Sequence, residues 1–336
     1  MSQARSMTWD VRQKLSSRSM SLLRIVDSRR FQPVEDLFKN MDQLVNSRFL
    51  DISSYIMKKW DFPSSVWRFW NLQTLIVYNH KGVITAPTDF WHMPHIRHVE
   101  FDELRLPDSP NNQDDIVLRN LQKLGTVLEF KCSERVVKKI PNIRKLVFSY
   151  MGTLDGCLSN LDYLTKLESM EWNLSRRSAI NFSCSLKRLV LNSIGSRYCW
   201  QDILDKVVVL PHFLKLTLLW GRFKEGKWET TEGQFRSLKF LNLVLCLSLE
   251  IWAAKSSHFP CLEHLGHDQA DKLREIPLDF AEIATLREIV VDGCNDSVVV
   301  SAKRILEEHD DYYGEGALRK KNKAGVLDSP NFRVRR

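Results

Sequence analysis

Residues 259–273 read FPCLEHLGHDQADKL and set Cys261, His264 and His267 at three-residue intervals, with Asp268 and Asp271 close behind. Thiolate, imidazole and carboxylate are the ligand types of a zinc site. A second cluster, His92, His95 and His98, lies in HMPHIRH. Neither stretch has the paired spacing of a zinc module. The patterns HExxH, GxSxG and GxxxxGK[S/T] are absent as well, and Gly226-Lys227 is followed by Trp228. The carboxylate pairs Asp114-Asp115 and Asp310-Asp311 fall in a turn-rich stretch and at the end of an expected helix, where charge is solvated. What any of these groups can do depends on the elements that carry them.

Charge and cysteine use narrow the setting. The chain has 336 residues, 43% of them apolar, and a formal charge of +8. Residues 1–30 carry seven Lys/Arg against two acids and residues 319–336 carry seven against one, so the body between is near −3. Basic ends on a nearly neutral body are read as solvated tails, and nucleic acid is not expected as a partner. Seven scattered cysteines without a CxxC pair fit free thiols in a reducing compartment. The N-terminus lacks an apolar signal region, and no window approaches 18 uncharged apolar residues. A soluble, cytoplasmic protein without a membrane partner is expected, in which the sequons at Asn173, Asn181 and Asn295 stay unmodified.

One pattern organises the rest: apolar-x-x-Leu-x-x-Leu-x-apolar. It appears as FWNLQTLIV (69–77), IPNIRKLVF (140–148), FRSLKFLNL (235–243) and IATLREIVV (283–291), among others. Its seventh positions fall at 26, 50, 75, 99, 124, 146, 170, 189, 216, 241, 265 and 289. Twelve copies at about 24 residues are the period of leucine-rich repeats. Cys246 and Cys294 stand at the Asn/Cys slot of that pattern.

The fold class expected is therefore α/β: a leucine-rich-repeat solenoid, or horseshoe, with a parallel sheet on its concave face and irregular or short-helical segments on its convex side. We assign 1–19 to an N-terminal extension, 20–294 to the repeats, 295–311 to a capping helix and 312–336 to a disordered basic tail. Asp296 is the expected cap of that helix, with Val299, Ala302, Ile305 and Leu306 facing the last repeat. The polar run from Leu106 to Asp115 is read as an excursion from one repeat. The tryptophans, at or beside apolar repeat positions, are read as core filling.

In this frame the apparent metal clusters dissolve. Phe259, Leu262 and Leu265 are inward positions, His264 faces outward, Cys261 precedes the strand, and His267 takes an inward slot usually held by Leu or Ile. His98 likewise faces out, with His92 and His95 in the approach to its strand. No catalytic, cofactor or metal residues are assigned, and no enzyme activity is expected. The outward neighbours of the repeat leucines mix aromatic, charged and small groups, which suits protein recognition. Tyr78, His98, Glu100, Asp102, Lys145, Glu171, Arg188 and Lys215 are the candidate protein-binding residues.

Longer strings are more specific than a leucine count. DFPSSVWRFWNLQTLIVYNHKGVITAPTDFWHMPHIRHVEF, VVKKIPNIRKLVFSY and LREIPLDFAEIATLREIVVDGC resemble the repeat region of plant nucleotide-binding disease-resistance receptors, above all the late-blight-resistance branch of nightshades. The resemblance covers roughly 20–310. It implies a module that senses a pathogen effector or a guarded host protein. The phosphate loop, the Met-His-Asp switch motif and a preceding coiled coil are not seen, so the family's nucleotide chemistry does not transfer. Either the product is truncated to its repeats, or another chain supplies the nucleotide-binding domain. The alternative is a substrate-recognition adaptor of a ubiquitin ligase; only some 19 residues precede the repeats, where such an adaptor needs a box of about 40–50.

Overall fold

Short runs of alternating apolar residues, each too small to bury its own face, become stable only by stacking on their neighbours. A computed structural model describes residues 21–27, 41–53, 62–78, 81–109, 116–150, 158, 160–173, 180–193, 199–314 and 332–335. The chain divides into two compact units, Met1–Leu167 with Ser178–Ser183, and Glu168–Arg177 with Cys184–Arg336.

The first unit contains β1 (Ile25–Asp27), β2 (Phe49–Asp51), β3 (Thr74–Val77), β4 (Ile84–Thr85), β5 (His98–Phe101), β6 (Leu104–Arg105), β7 (Lys123–Leu128) and β8 (Lys145–Ser149). The main strands pair in parallel in the order β1-β2-β3-β5-β7-β8. Their register aligns Val26, Leu50, Leu75, Val99, Leu124 and Leu146. These are the seventh positions of the repeat, and each is at most 1% exposed. Full burial of such a side chain contributes about 1.5–3 kcal/mol, so the ladder holds the strands together. Trp67 stacks on Phe101 at 6.0 Å and meets Phe90 edge-on, filling the far side of the sheet.

One strand departs from the regular pattern. The β7–β8 register shifts between Leu124 and Val127, which inserts one extra residue into β7. Thr126 there has φ 43°. The bulge divides β7: Lys123 and Leu124 pair with β5, while Val127 and Leu128 pair with β6. Helix α1 (Glu134–Lys139) follows, capped by Ser133, whose hydroxyl accepts from the Val136 N–H at 3.3 Å.

The second unit contains β9 (Ser169–Asn173), β10 (Arg188–Asn192), β11 (Lys215–Leu219), β12 (Lys227–Glu229), β13 (Phe240–Val244), β14 (Ile251–Ala253), β15 (His264–Asp268), β16 (Glu288–Asp292) and β17 (Phe332–Arg335). The order β9-β10-β11-β13-β15-β16-β17 is parallel throughout. Here the inward ladder is Met170, Leu189, Leu216, Leu241, Leu265 and Ile289. On the opposite side β12 and β14 form a separate two-stranded sheet, in which Trp228 and Trp252 stack at 5.1 Å with planes 4° apart. Helix α2 (Gln201–Val207) starts beside buried Trp200. Trp67, Trp91, Trp172, Trp200, Trp228 and Trp252 thus fill the cores of the two units, as expected of the tryptophans, whereas Trp70 and Trp220 are exposed.

Helix α3 (Asp296–Tyr313) covers the end of the second unit. Its cap is Asn295 rather than Asp296: the Asn295 side chain accepts from the Val298 N–H at 3.0 Å. Its amide also donates to the carbonyls of Ala270, Asp271 and Leu273, which fastens the helix start to the preceding repeat. Val298, Ser301, Ala302, Ile305 and His309 make up the buried face; of the expected contacts Ala302 and Ile305 lie on it, while Val299 and Leu306 are only half-buried. The helix runs two residues past the expected 311. Within the stretch read as a disordered basic tail, Phe332–Arg335 pair with β16; the sequence Phe-Arg-Val-Arg alternates apolar and basic residues, which suits the edge of a sheet. The N-terminal extension 1–19 and residues 110–115 of the polar excursion lie outside the described residues.

Candidate functional site

In each unit, alternation along the strands turns one row of side chains inward and leaves the flanking residues on the open face. Because the strands are in register, residues at the same offset line up at right angles to the strands. In the first unit one such row is Thr74, His98, Lys123 and Lys145. Glu100 sits one step on and ties three repeats together. The Tyr78 hydroxyl donates to its Oε2 at 2.6 Å, and the Lys123 ammonium donates to its Oε1.

The ionisation of these groups follows from that geometry. Burial works against the charge of Glu100, but hydrogen bonds from Lys123 and Tyr78, with the charges of Lys123 and Lys145, outweigh it and hold the carboxyl below its usual range. Tyr78 is pushed well above the ordinary phenol value by burial, then by its bond to Glu100 and the charges of Glu100, Asp102 and Asp51. It remains a neutral donor. Burial first, and Lys123 second, lower the imidazole of His98. Asp51 and Ser53, although at outward positions, are buried: Asp51 accepts from the Ser53 N–H and Ser53 from the Tyr78 N–H.

The second unit repeats the principle with different chemistry. Register aligns Ser169, Arg188, Lys215, Phe240, His264 and Glu288. The Lys215 ammonium lies 5.7 Å from the Phe240 ring centroid. Phe240 and His264 stack at 4.5 Å with planes 4° apart, and His264 Nδ1 is 3.1 Å from Glu288 Oε2. A cation, two stacked rings and a carboxylate thus form one continuous strip. Such mixed aromatic and charged surfaces recur where proteins bind proteins.

Of the eight sequence-derived candidates, Tyr78 and Glu100 are bonded directly, and His98, Asp102 and Lys145 surround them. Arg188 and Lys215 are register neighbours on adjacent strands, and Glu171 is aligned with Val190. Lys123, Phe240, His264 and Glu288 are not among the eight. Each immediately precedes an inward repeat residue, the same offset as His98, Lys145, Arg188 and Lys215, so the period itself points to them.

The apparent metal ligands separate as their strand positions require. His264 is on the open face, and Cys261 lies in the turn before β15. His267 is 1% exposed, packed against Trp252 with ring centroids 5.6 Å apart. Among the described residues no three His, Cys, Asp or Glu side chains are grouped to hold a metal ion. Gly221, five residues before Gly226-Lys227, completes the first seven positions of a phosphate loop, with Trp228 where the Ser or Thr would stand. Gly221 packs on Trp200, however, and Lys227 opens β12 instead of a helix, so the strand–loop–helix cradle is not built. Cys246, at the repeat's Asn/Cys slot, has its thiol pushed up to about 12 by burial and approaches the carbonyls of Leu218 and Val244. Among the described residues no helix is long and apolar enough to cross a membrane.

With this surface defined, similarity to known proteins becomes informative. The chain is 30% identical over 318 residues to a putative late blight resistance protein homolog of Solanum demissum, an alignment covering 87% of the chain and 24% of that protein. Late blight resistance protein R1-A from the same species is equally similar, at 30% over 318 residues. The chain is a relative of the late blight resistance proteins. Another putative homolog from that species is 29% identical over 313 residues, which cover 40% of it. The chain thus spans about a quarter of the length of the first curated relatives it matches. No family model matches. Among solved structures, a leucine-rich-repeat protein of Leptospira interrogans aligns with TM-score 0.41 and 15% identity, covering 80% of the chain and 79% of that structure. The functional domain of InlJ from Listeria monocytogenes aligns with TM-score 0.40 and 11% identity, covering 84% and 70%. The parallel ladders are those of a leucine-rich-repeat solenoid, and over most of its length the chain is similar in sequence to the late blight resistance proteins.

Proposed function

We propose that this chain is a non-catalytic recognition module of plant defence, which binds a pathogen effector or a guarded host protein through the open faces of its strands. The observation that carries the reading is the pair of repeat-spanning networks, Tyr78–Glu100–Lys123 and Lys215–Phe240–His264–Glu288. Each holds charged or aromatic groups in fixed positions before any partner arrives, which reduces the ordering cost of binding. A nucleotide-binding receptor domain on another chain is the further partner this reading allows.

The test is a pull-down of the immobilised chain against secreted pathogen proteins and host extracts, with two double variants as probes of the surface. Glu100→Lys with Lys123→Glu alters the first network, and Lys215→Glu with His264→Glu the second. At least one pair should weaken a specific partner by about tenfold or more without shifting the urea unfolding midpoint. Retention of every partner by both pairs would overturn the reading.

A further inference from the structure

The strand ends of the second unit present a different surface. At the last outward position β9 and β10 carry Asn173 and Asn192, but β11 and β13 carry Leu219 and Val244, and β15 and β16 carry Asp268 and Asp292. Directly after β11 comes Trp220, 41% exposed, whose N–H donates to the carbonyl of Val244. An apolar patch therefore borders two carboxylates on neighbouring strands.

Two features bear on this patch, the first a left-handed backbone that Leu245 and Gln269 share in the following repeats. Trp220 has φ 60°, a left-handed conformation that costs a bulky L-residue about 1–3 kcal/mol. The chain thus holds a large aromatic ring in solvent at a position where Gly or Asn would be more stable. The two carboxylates, moreover, make no ion pair with those side chains that are described, which do not include Arg335. Asp268 is pushed up by burial and then by the charge of Asp292, as expected for like charges facing each other across adjacent strands. On the outer side of Asp292 the register of β17 sets Arg335 as its strand neighbour. On its other side Asp268 has Val244 and then Leu219.

We infer that Leu219, Trp220 and Val244, with Asp268 and Asp292, form a docking site for a segment of a partner protein that alternates apolar and basic side chains. The apolar side chains of that segment cover Trp220 and its neighbours. Its Lys or Arg side chains pair with Asp268 and Asp292 and relieve their mutual repulsion. This inference rests on the reading of the chain as a protein-recognition module. It assigns a second site, separate from the Lys215–Phe240–His264–Glu288 strip at the opposite end of the same strands.

Trp220→Gly provides the discriminating variant, because it removes the ring and also relieves the backbone. A purely structural Trp220 would lose stability on substitution, whereas a docking residue would lose only binding. Fluorescence polarisation of the full chain is measured with a labelled peptide of alternating Leu and Arg, and with Leu-Asp and Gly-Arg controls. The Leu-Arg peptide should bind, and Trp220→Gly should weaken it about tenfold or more with the urea midpoint unchanged or raised. Asp268→Asn with Asp292→Asn should weaken it as well and flatten its salt dependence. Lys215→Glu with His264→Glu should leave it intact, which separates this site from the strip. The inference is overturned by any of three results: no binding of the Leu-Arg peptide, equal binding of either control, or unaltered binding by Trp220→Gly.

Discussion

His267 occupies a ladder position whose register neighbours are Leu243 and Val291, and both of its ring nitrogens are buried without a hydrogen-bond partner. The adjacent Trp252 Nε1 is unpartnered too. His267→Leu should therefore stabilise the protein. Each orphaned polar group costs about 1–3 kcal/mol, so relief of part of that penalty predicts a gain of about 1–3 kcal/mol at pH 7.5. The gain should grow in acid. Burial lowers the His267 pKa from 6.5 to about 4. The unfolded chain then holds the proton more tightly than the folded one. Stability from this group is complete above about pH 6.5 and is lost as pH falls towards 4. Between pH 7.5 and pH 5 the wild-type chain should lose about 2 kcal/mol through His267, which the leucine variant should keep. Urea unfolding followed by tryptophan fluorescence at the two pH values measures this difference, and other titrating groups cancel between variant and wild type. Equal pH dependence in the two proteins, or a less stable variant at pH 7.5, would refute the argument.

Three further outcomes are expected. A β-carbon at Gly221 would lie 1.0 Å from Nε1 of the buried Trp200 ring, so Gly221→Ala should cost about 3 kcal/mol or more; a shift in urea midpoint worth under about 1 kcal/mol would contradict the packing. Asn295→Ala removes the cap of α3 together with three bonds to the preceding repeat. Hydrogen exchange in the first turn of α3 should accelerate, with about 1–2 kcal/mol lost from global stability. Tyr78 should ionise only in the upper part of an alkaline titration, because its phenol is pushed up by burial and Glu100. The lower part of an ultraviolet alkaline titration should therefore be the same for Tyr78→Phe and wild type, with only the upper part diminished.

The ladders are legible in the sequence because they depend on burial with a fixed period. All twelve seventh positions sit in the two inward rows, and His267 stands out because a polar residue interrupts that pattern. What escapes reading depends on backbone geometry or on side chains meeting across repeats. The extra residue in β7 is invisible in LQKLGTVLEF because Gly125-Thr126 also fits a plain turn. Similarly, Asn295 and Asp296 are both good caps, and only the direction of the chain decides between them. The left-handed Trp220 runs against local preference, so no propensity argument finds it. At the candidate surface, outward positions can be named strand by strand. Which of them touch, such as Phe240 with His264 or Lys123 with Glu100, depends on rotamers that a period does not specify.

The left-handed positions after the strands have a consequence of their own. Trp220, Leu245, Gln269 and Gly293 all have positive φ, and only one of them is glycine. The N–H groups of Trp220, Leu245 and Gln269 donate to the carbonyls of Val244, Asp268 and Asp292, each at the end of the following strand. Each of these repeats thus offers the same donor to its successor and the same acceptor to its predecessor, whatever its side chains are. Repeats joined this way are interchangeable parts. Removing one whole period should leave a matched junction, while removing half a period should not. The surface can then be lengthened, shortened or reshuffled by whole repeats, so the open face can diversify without renegotiating the scaffold.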